Sequence, residues 1–153
     1  MQLQQDTITR LTAIDPLVPS LVPAKGSITW LTENIGDLAS KVAQATGKLG
    51  IVGLVLTPGG DRLQLFSNDA QALSFSCPLL IQIQENVLVN RGANGTQIPA
   101  LDLVKFCMKR LHFWEPKRTR ISRIKLDPKP FELVQDAPLL VYDVRFLAPI
   151  TIA

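Results

Sequence analysis

One long amphipathic pattern, set between runs with a two-residue period, limits what this chain can fold into. From about Pro99 to Phe113, Leu101, Val104, Met108 and Leu111 recur at three- and four-residue steps, with Cys107 and Trp114 beside them. Asp102, Lys105 and Lys109 lie opposite, so the segment predicts a helix with one apolar face. Thr96 is placed to cap its start, Pro99 is tolerated in a first turn, and Glu115-Pro116 ends it. Asp102 early and Lys109-Arg110 late suit the helix dipole.

Strand signals flank this helix on both sides. Ile51–Leu56 is an apolar run of strand length, Arg62–Phe66 alternates, and Thr57-Pro58-Gly59-Gly60-Asp61 between them has the composition of a hairpin turn. In 79–86, Leu79, Ile81 and Ile83 point one way, and Gln82 and Gln84 the other. A polar, Gly-containing loop over 90–96 leads into the helix. After it come strands at 119–126 and 139–146, joined by a loop that Pro128 and Pro130 stiffen. In the last strand Leu140, Tyr142, Val144 and Phe146 are expected inward, and Val141, Asp143 and Arg145 outward. The tail 148–153 predicts a short edge strand.

Upstream, Leu3, Ile8, Leu11 and Ile14 predict an amphipathic helix over 3–14, which Asp15-Pro16 stops. The stretch 16–30 holds Pro16, Pro19, Pro23 and Gly26 and reads as an irregular connection. A second helix over 34–46 carries Ile35, Leu38, Val42 and Ala45, with Gly47 in place for a C-cap. The order α-α-β-β-β-α-β-β predicts an α+β fold, a mostly antiparallel sheet of about five strands packed against two or three helices. The 153 residues fit a single domain, with helices and a Pro-rich connection over 1–48 and the sheet and long helix over 49–153.

Composition supports a packed core: 46% of the residues are hydrophobic and 19% charged, which is too apolar for a disordered chain. The N-terminal Met1-Gln2-Leu3-Gln4-Gln5-Asp6 lacks the basic start and apolar run of a secretory signal. No stretch approaches the ~20 apolar residues of a membrane span. Synthesis in the cytoplasm and no membrane partner are the expectations.

The residues that could carry chemistry are few and scattered. His112, the single histidine, has no acid or thiol at ligand spacing and sits near the end of an apolar helix, so a structural role is expected. Cys77 and Cys107 read as small buried thiols; with His112 they lack the spacing of a metal site. Gly59-Gly60 belongs to no phosphate-loop pattern. Asp136 in a loop and Asp143 on an outward strand face read as solvated charges. No enzyme, metal or cofactor is therefore expected.

Charge is more telling. Residues 117–129 hold Lys117, Arg118, Arg120, Arg123, Lys125 and Lys129 against Asp127 alone, a local excess larger than the +3 of the whole chain. Such a patch is a solvated strand face, a docking surface for an acidic protein, or a nucleic-acid contact. For the docking reading the candidate interface residues are Arg118, Arg120, Arg123 and Lys125.

Three stretches carry a family resemblance: Ile81-Gln-Ile-Gln-Glu-Asn-Val-Leu-Val-Asn-Arg91, the helix from Ile98-Pro-Ala-Leu-Asp-Leu-Val104 through Leu111-His-Phe-Trp-Glu-Pro116, and Pro138-Leu-Leu-Val-Tyr-Asp-Val-Arg-Phe146. Over about residues 79–147 the chain resembles the tail-terminator, or tail-completion, proteins of tailed bacteriophages and related prophage neck proteins. The resemblance implies an α/β sandwich with a mostly antiparallel sheet and a structural role in the virion. It implies a homo-oligomeric ring, a hexamer, on the head-proximal end of the tail tube, which stops tube polymerisation and meets the head–tail connector. The partners implied are other copies of the chain, the tail tube protein and the connector, with DNA only passing through. Manufacture would be in the host bacterial cytoplasm. Two alternatives stand beside it: another neck component, such as a connector or a tube- or sheath-joining ring, and a DNA-binding accessory protein using the 117–129 patch.

Overall fold

A computed structural model describes residues 2–13, 28–33, 36–57, 64–68, 73–116, 121–136 and 138–152. In chain order the elements are α1 (Gln2–Thr12), β1 (Thr29–Thr32), α2 (Leu38–Lys48), β2 (Ile51–Leu56), β3 (Gln64–Asn68), β4 (Leu73–Asn86), α3 (Val87–Asn90), α4 (Ala100–Leu111), β5 (Lys125–Gln135) and β6 (Leu139–Ile152). The fold is α+β, as expected. One sheet runs in the order β1-β2-β4-β6-β5, with β3 also on β4. Every pairing is antiparallel except β1 with β2.

The alternation of β4 and β6 makes the sheet two-sided. Leu79, Ile81 and Ile83 of β4 and Val144, Phe146 and Ala148 of β6 are buried on one face. Against them pack Leu3 and Leu11 of α1 and Leu103, Val104, Cys107 and Leu111 of α4. The two helices are clasped to each other: Arg10 Nε donates to the Arg110 carbonyl at 3.3 Å, and Arg110 Nε to the Arg10 carbonyl at 3.1 Å. On the opposite face Leu31, Val52 and Leu54 meet Ala45, Leu38 and Val42, so α2 covers the β1–β2 end. At that end Gly53 pairs with Trp30, whose ring lies over it. A Cβ on Gly53 would stand 2.3 Å from that ring, so the missing side chain is what admits the indole to the α1–α4 face.

Several expectations change. The stretch 16–30 was expected to be irregular, yet Thr29–Thr32 forms β1, parallel to β2 and joined to it through α2. This βαβ crossover gives the backbone of Thr29–Thr32 a ladder partner in β2. No hairpin joins β2 and β3. Both run antiparallel to β4, at Leu80–Glu85 and Leu73–Ser76, and so lie in line along one of its edges. The Pro-Gly-Gly sequence at 58–60 lies outside the described residues.

At α2, Gly47 lies inside the helix, the C-cap is Leu49, and Gly50 at φ 83° is the glycine that ends it. Ile14 and Ile35 lie outside the described residues. In α4 the buried face is turned by one position: Ala100, Leu103, Val104, Cys107 and Leu111 are inside, while Leu101 is exposed.

The second half of the chain departs further. Of the expected strand 119–126, the described residues before Lys125 form no strand and meet β6 through the bridge of Ile121 to Ile150 and the Ser122 N–H on the Pro149 carbonyl. The loop expected around Pro128 and Pro130 is part of β5, where the register to β6 shifts between Leu126 and Phe131. β5 is an outer strand, and proline is accepted there because an outward N–H has no partner to lose. The tail is no separate edge strand: β6 runs unbroken to Ile152, paired with β4 along its length, with β5 as far as Leu147 and with Ile121 at Ile150. Val141, expected outward, is buried on the second face.

Candidate protein interface

The described part of the basic segment is pinned between the end of α4 and the far half of β6. Phe113 N donates to the Ile124 carbonyl at 2.7 Å, and Ile124 N to the Trp114 carbonyl at 2.9 Å. Ser122 N donates to the Pro149 carbonyl at 2.9 Å, and Leu126 N to His112 Nδ1 at 3.2 Å. Ile121 and Ile124 are buried, whereas Arg123 and Lys125 are exposed. Neither cation has an ion-pair partner among the described residues. Arg118 and Arg120 lie outside the described residues, so the structure brings together two of the four candidates. Ile121, two and four residues before Arg123 and Lys125, would share their face in a regular strand, but it turns inward through its bridge to Ile150.

Sequence reasoning missed an aromatic at this place. Phe113 is 57% exposed and sits at φ 62°, a conformation that bulky side chains rarely adopt. Its hydrogen bond to Ile124 holds it there, and its ring lies 3.9 Å from that of His112. The signal that could have found it is Phe113-Trp114 following the last helical turn, where the chain must reverse to let Ile124 return alongside. His112 accepts at Nδ1, so its ring proton belongs on Nε2 and the imidazole serves as a backbone anchor for β5.

A second constellation lies at the end of β4. Glu85 is fully buried, and its carboxylate accepts from Asn90 Nδ2 at 2.8 Å, Arg91 Nε at 3.2 Å and the Ala100 N–H at 2.8 Å. Asn90, also fully buried, donates in addition to the Ile98 carbonyl at 2.8 Å and accepts from Thr96 Oγ1. The N-cap residue of α4 is Pro99, and the first helical N–H is taken by Glu85. Thr96, expected as that cap, instead braces Asn90. These bonds tie Glu85 and Asn90 to Ile98 and Ala100, so the cluster fixes the 91–99 loop against the start of α4.

On the sheet face away from α4, a polar row crosses three strands. Gln84 Nε2 donates to Gln82 Oε1 at 2.8 Å, and Gln82 Nε2 to Asp143 Oδ1 at 2.9 Å. Arg145 Nη2 reaches Glu132 at 2.9 Å and Asp143 at 3.6 Å. Asp143 is thus a paired member of this row, not the solvated charge expected, because Gln82 is its register partner. Burial raises the Cys107 thiol far above its ordinary range and raises that of Cys77 as well. Among the described residues no group of three His, Cys, Asp or Glu side chains is placed to hold a metal ion, and no helix is long and apolar enough to cross a membrane.

What this architecture defines is an α+β domain whose described surface offers cations, an exposed aromatic and a bare strand edge. No protein-family model matches the chain, and no curated protein matches it. Among solved structures, a chain in the "Virion of native gene transfer agent (GTA) particle" is similar to it, with a TM-score of 0.59 and 16% sequence identity. The likeness covers 97% of this chain and 94% of that one, and it shows a shared fold.

Proposed function

We propose that this chain is a structural protein of a virion, working by docking to other proteins and not by catalysis. In this reading it forms a six-membered ring at the head-proximal end of a tail tube, ends tube polymerisation and joins the tail to the head connector. The observation that carries the reading is the correspondence of fold, along nearly the whole of both chains, with a component of a gene transfer agent virion. The tail-terminator resemblance over about 79–147 supports it from the sequence. Three of its residues, Glu85, Asn90 and Arg91, form the buried brace at the start of α4. The deciding experiment is electron microscopy of tails assembled with and without the protein. Tubes of uncontrolled length in its absence are expected, and tubes of ordinary length would exclude termination.

Arg123 and Lys125 supply the docking charge. The double variant Arg123→Glu, Lys125→Glu is expected to fold with stability within about 0.5 kcal/mol of the parent, since both side chains are exposed. Its association with tail tubes is expected to fall at least tenfold, mainly in the on-rate and most at low salt. Co-sedimentation with tubes across a salt series checks both points.

Phe113 favours one second reading. An exposed aromatic beside cations is also what a nucleic-acid surface presents. That reading expects binding to a DNA oligonucleotide that weakens steeply with salt and is lost in Phe113→Ala, measured by fluorescence anisotropy.

A further inference from the structure

Among the described residues β1, β3 and β5 each have one sheet neighbour; β1 and β5 end the row β1-β2-β4-β6-β5, and these two ends are protected unequally. The first half of β5 carries the devices that keep a strand edge from pairing: Lys125, Pro128, Lys129, Pro130 and a register shift. The second half, Phe131–Gln135, has neither lysine nor proline, and its own register shift falls late, between Leu133 and Gln135. All five of these residues are exposed, and Phe131, Leu133 and Val134 leave 46%, 43% and 53% of their surface open. Phe131 and Leu133 pair with Val144 and Tyr142, so they project to the face that carries α1 and α4. Apolar side chains along an uncovered edge are a template for another strand.

The other outer strand fits that template. β1, Thr29-Trp30-Leu31-Thr32, has no charge and no proline, and among the described residues it pairs only with β2. Its Trp30 lies on the α1–α4 face, the same face as Phe131 and Leu133. Chain directions also match. β1 runs with β2, and direction reverses at β4, at β6 and again at β5, which leaves β5 antiparallel to β1. A rotation that preserves strand direction therefore brings β5 of one copy to β1 of the next in antiparallel sense, the more stable ladder. Because the two edges differ, the contact is head-to-tail, and it closes into a ring where the rotation between copies completes a full turn.

We propose that Phe131–Gln135 of β5 adds, as an antiparallel strand, to β1 of a second copy of this chain, so that the sheet continues from subunit to subunit. This rests on the ring reading above and names the surfaces that build the ring. In it Trp30 packs against Phe131 and Leu133 of the neighbour.

Cysteine cross-linking tests it on assembled particles and on the full chain at high concentration, in a Cys77→Ser background. Thr32 shares the face of Trp30 through the register of β1 with β2. The double variants Thr32→Cys with Phe131→Cys, and Thr32→Cys with Leu133→Cys, place thiols on the two edges. On mild oxidation at least one pair is expected to give a ladder of covalent multimers that ends at the ring size, while each chain with one introduced cysteine, its native Cys107 being buried, stays monomeric on the gel. Dimers from Leu133→Cys alone would show β5 meeting β5, and no ladder from either pair would show another interface; either result overturns the proposal. As a second measurement, Leu133→Lys with Val134→Lys is expected to reduce the assembled species to the mass of one chain at an unchanged melting temperature. Persistence of the larger species would overturn it too. Failure of the ring reading itself is separable: a ladder obtained alongside normal tube length in tails lacking the protein would leave the edge contact standing and remove its place at the tail end.

Discussion

Replacing Glu85 with alanine is expected to lower the free energy of unfolding by about 3–5 kcal/mol, the range for removing one partner from a buried charged cluster. The carboxylate is fully buried and takes three donors, from Asn90, Arg91 and the first N–H of α4. Its loss leaves the Ala100 N–H and one of the two amide hydrogens of buried Asn90 without acceptors, each at about 1–3 kcal/mol, while the other amide hydrogen keeps the Ile98 carbonyl. It also leaves the guanidinium of Arg91 without its carboxylate partner, a smaller effect because that side chain is half exposed. Glu85→Gln should fall between, since one amide oxygen can still accept while the new NH2 confronts a donor. Urea unfolding checks the series: the midpoint should drop in the order parent, Gln, Ala at a constant slope.

Gly50→Ala is expected to cost about 3 kcal/mol or more, from two sources that act together. Gly50 stands at φ 83°, where an added Cβ is disfavoured by about 1 kcal/mol. That Cβ would also lie 2.1 Å from the backbone nitrogen of Asn90, and backbone cannot swing aside as a flexible side chain can. The Asn86 N–H donates to the Gly50 carbonyl at 2.7 Å, so any shift of Gly50 strains the end of β4 as well. Gly47, three residues earlier in the exposed part of α2 and with nothing near its missing Cβ, provides the contrast. Gly47→Ala should stabilise by about 0.5–1 kcal/mol. Because Gly50 and Glu85 both act on Asn90, the double variant should lose less than the sum of the two single losses, and thermal or urea denaturation of all four species measures the difference.

Patterns with a short period were legible in the sequence. The alternation over 79–86 located β4 and its inward side chains, and the three-to-four spacing located α4. What could not be read was set by partners distant in the chain. Thr29–Thr32 is a strand only because β2 lies beside it, and its four residues follow a proline-rich stretch that argues against any strand. The Pro-Gly-Gly sequence suggested a reversal, yet β2 and β3 share one neighbour and one direction. Pro128 and Pro130 argued for a loop because the outer position of β5, which excuses them, belongs to topology and not to local sequence.

The candidate site divides in the same way. Arg123 and Lys125 were legible as a charge run, and solvent indeed has them. Phe113 adjoins an apolar helix face and reads from sequence as a core or hinge residue; the turn at φ 62° is what sends it outward. Glu85 follows three apolar residues of one strand face and shares that face, a position where the pattern alone gives no reason to expect an acid. The reason is the N-terminus of α4, fifteen positions on, which arrives with an N–H to satisfy.

β5 reaches the sheet only through β6, and β6 follows it in the chain. A polypeptide leaving the ribosome with its N-terminus first therefore carries 131–135 as an unsupported segment until 139–152 have threaded in beside β4. The proposed polymerising edge does not exist in a half-made molecule. Under the proposed edge contact, maturation of the fold would license assembly and keep nascent chains from linking to one another before each has closed its own core.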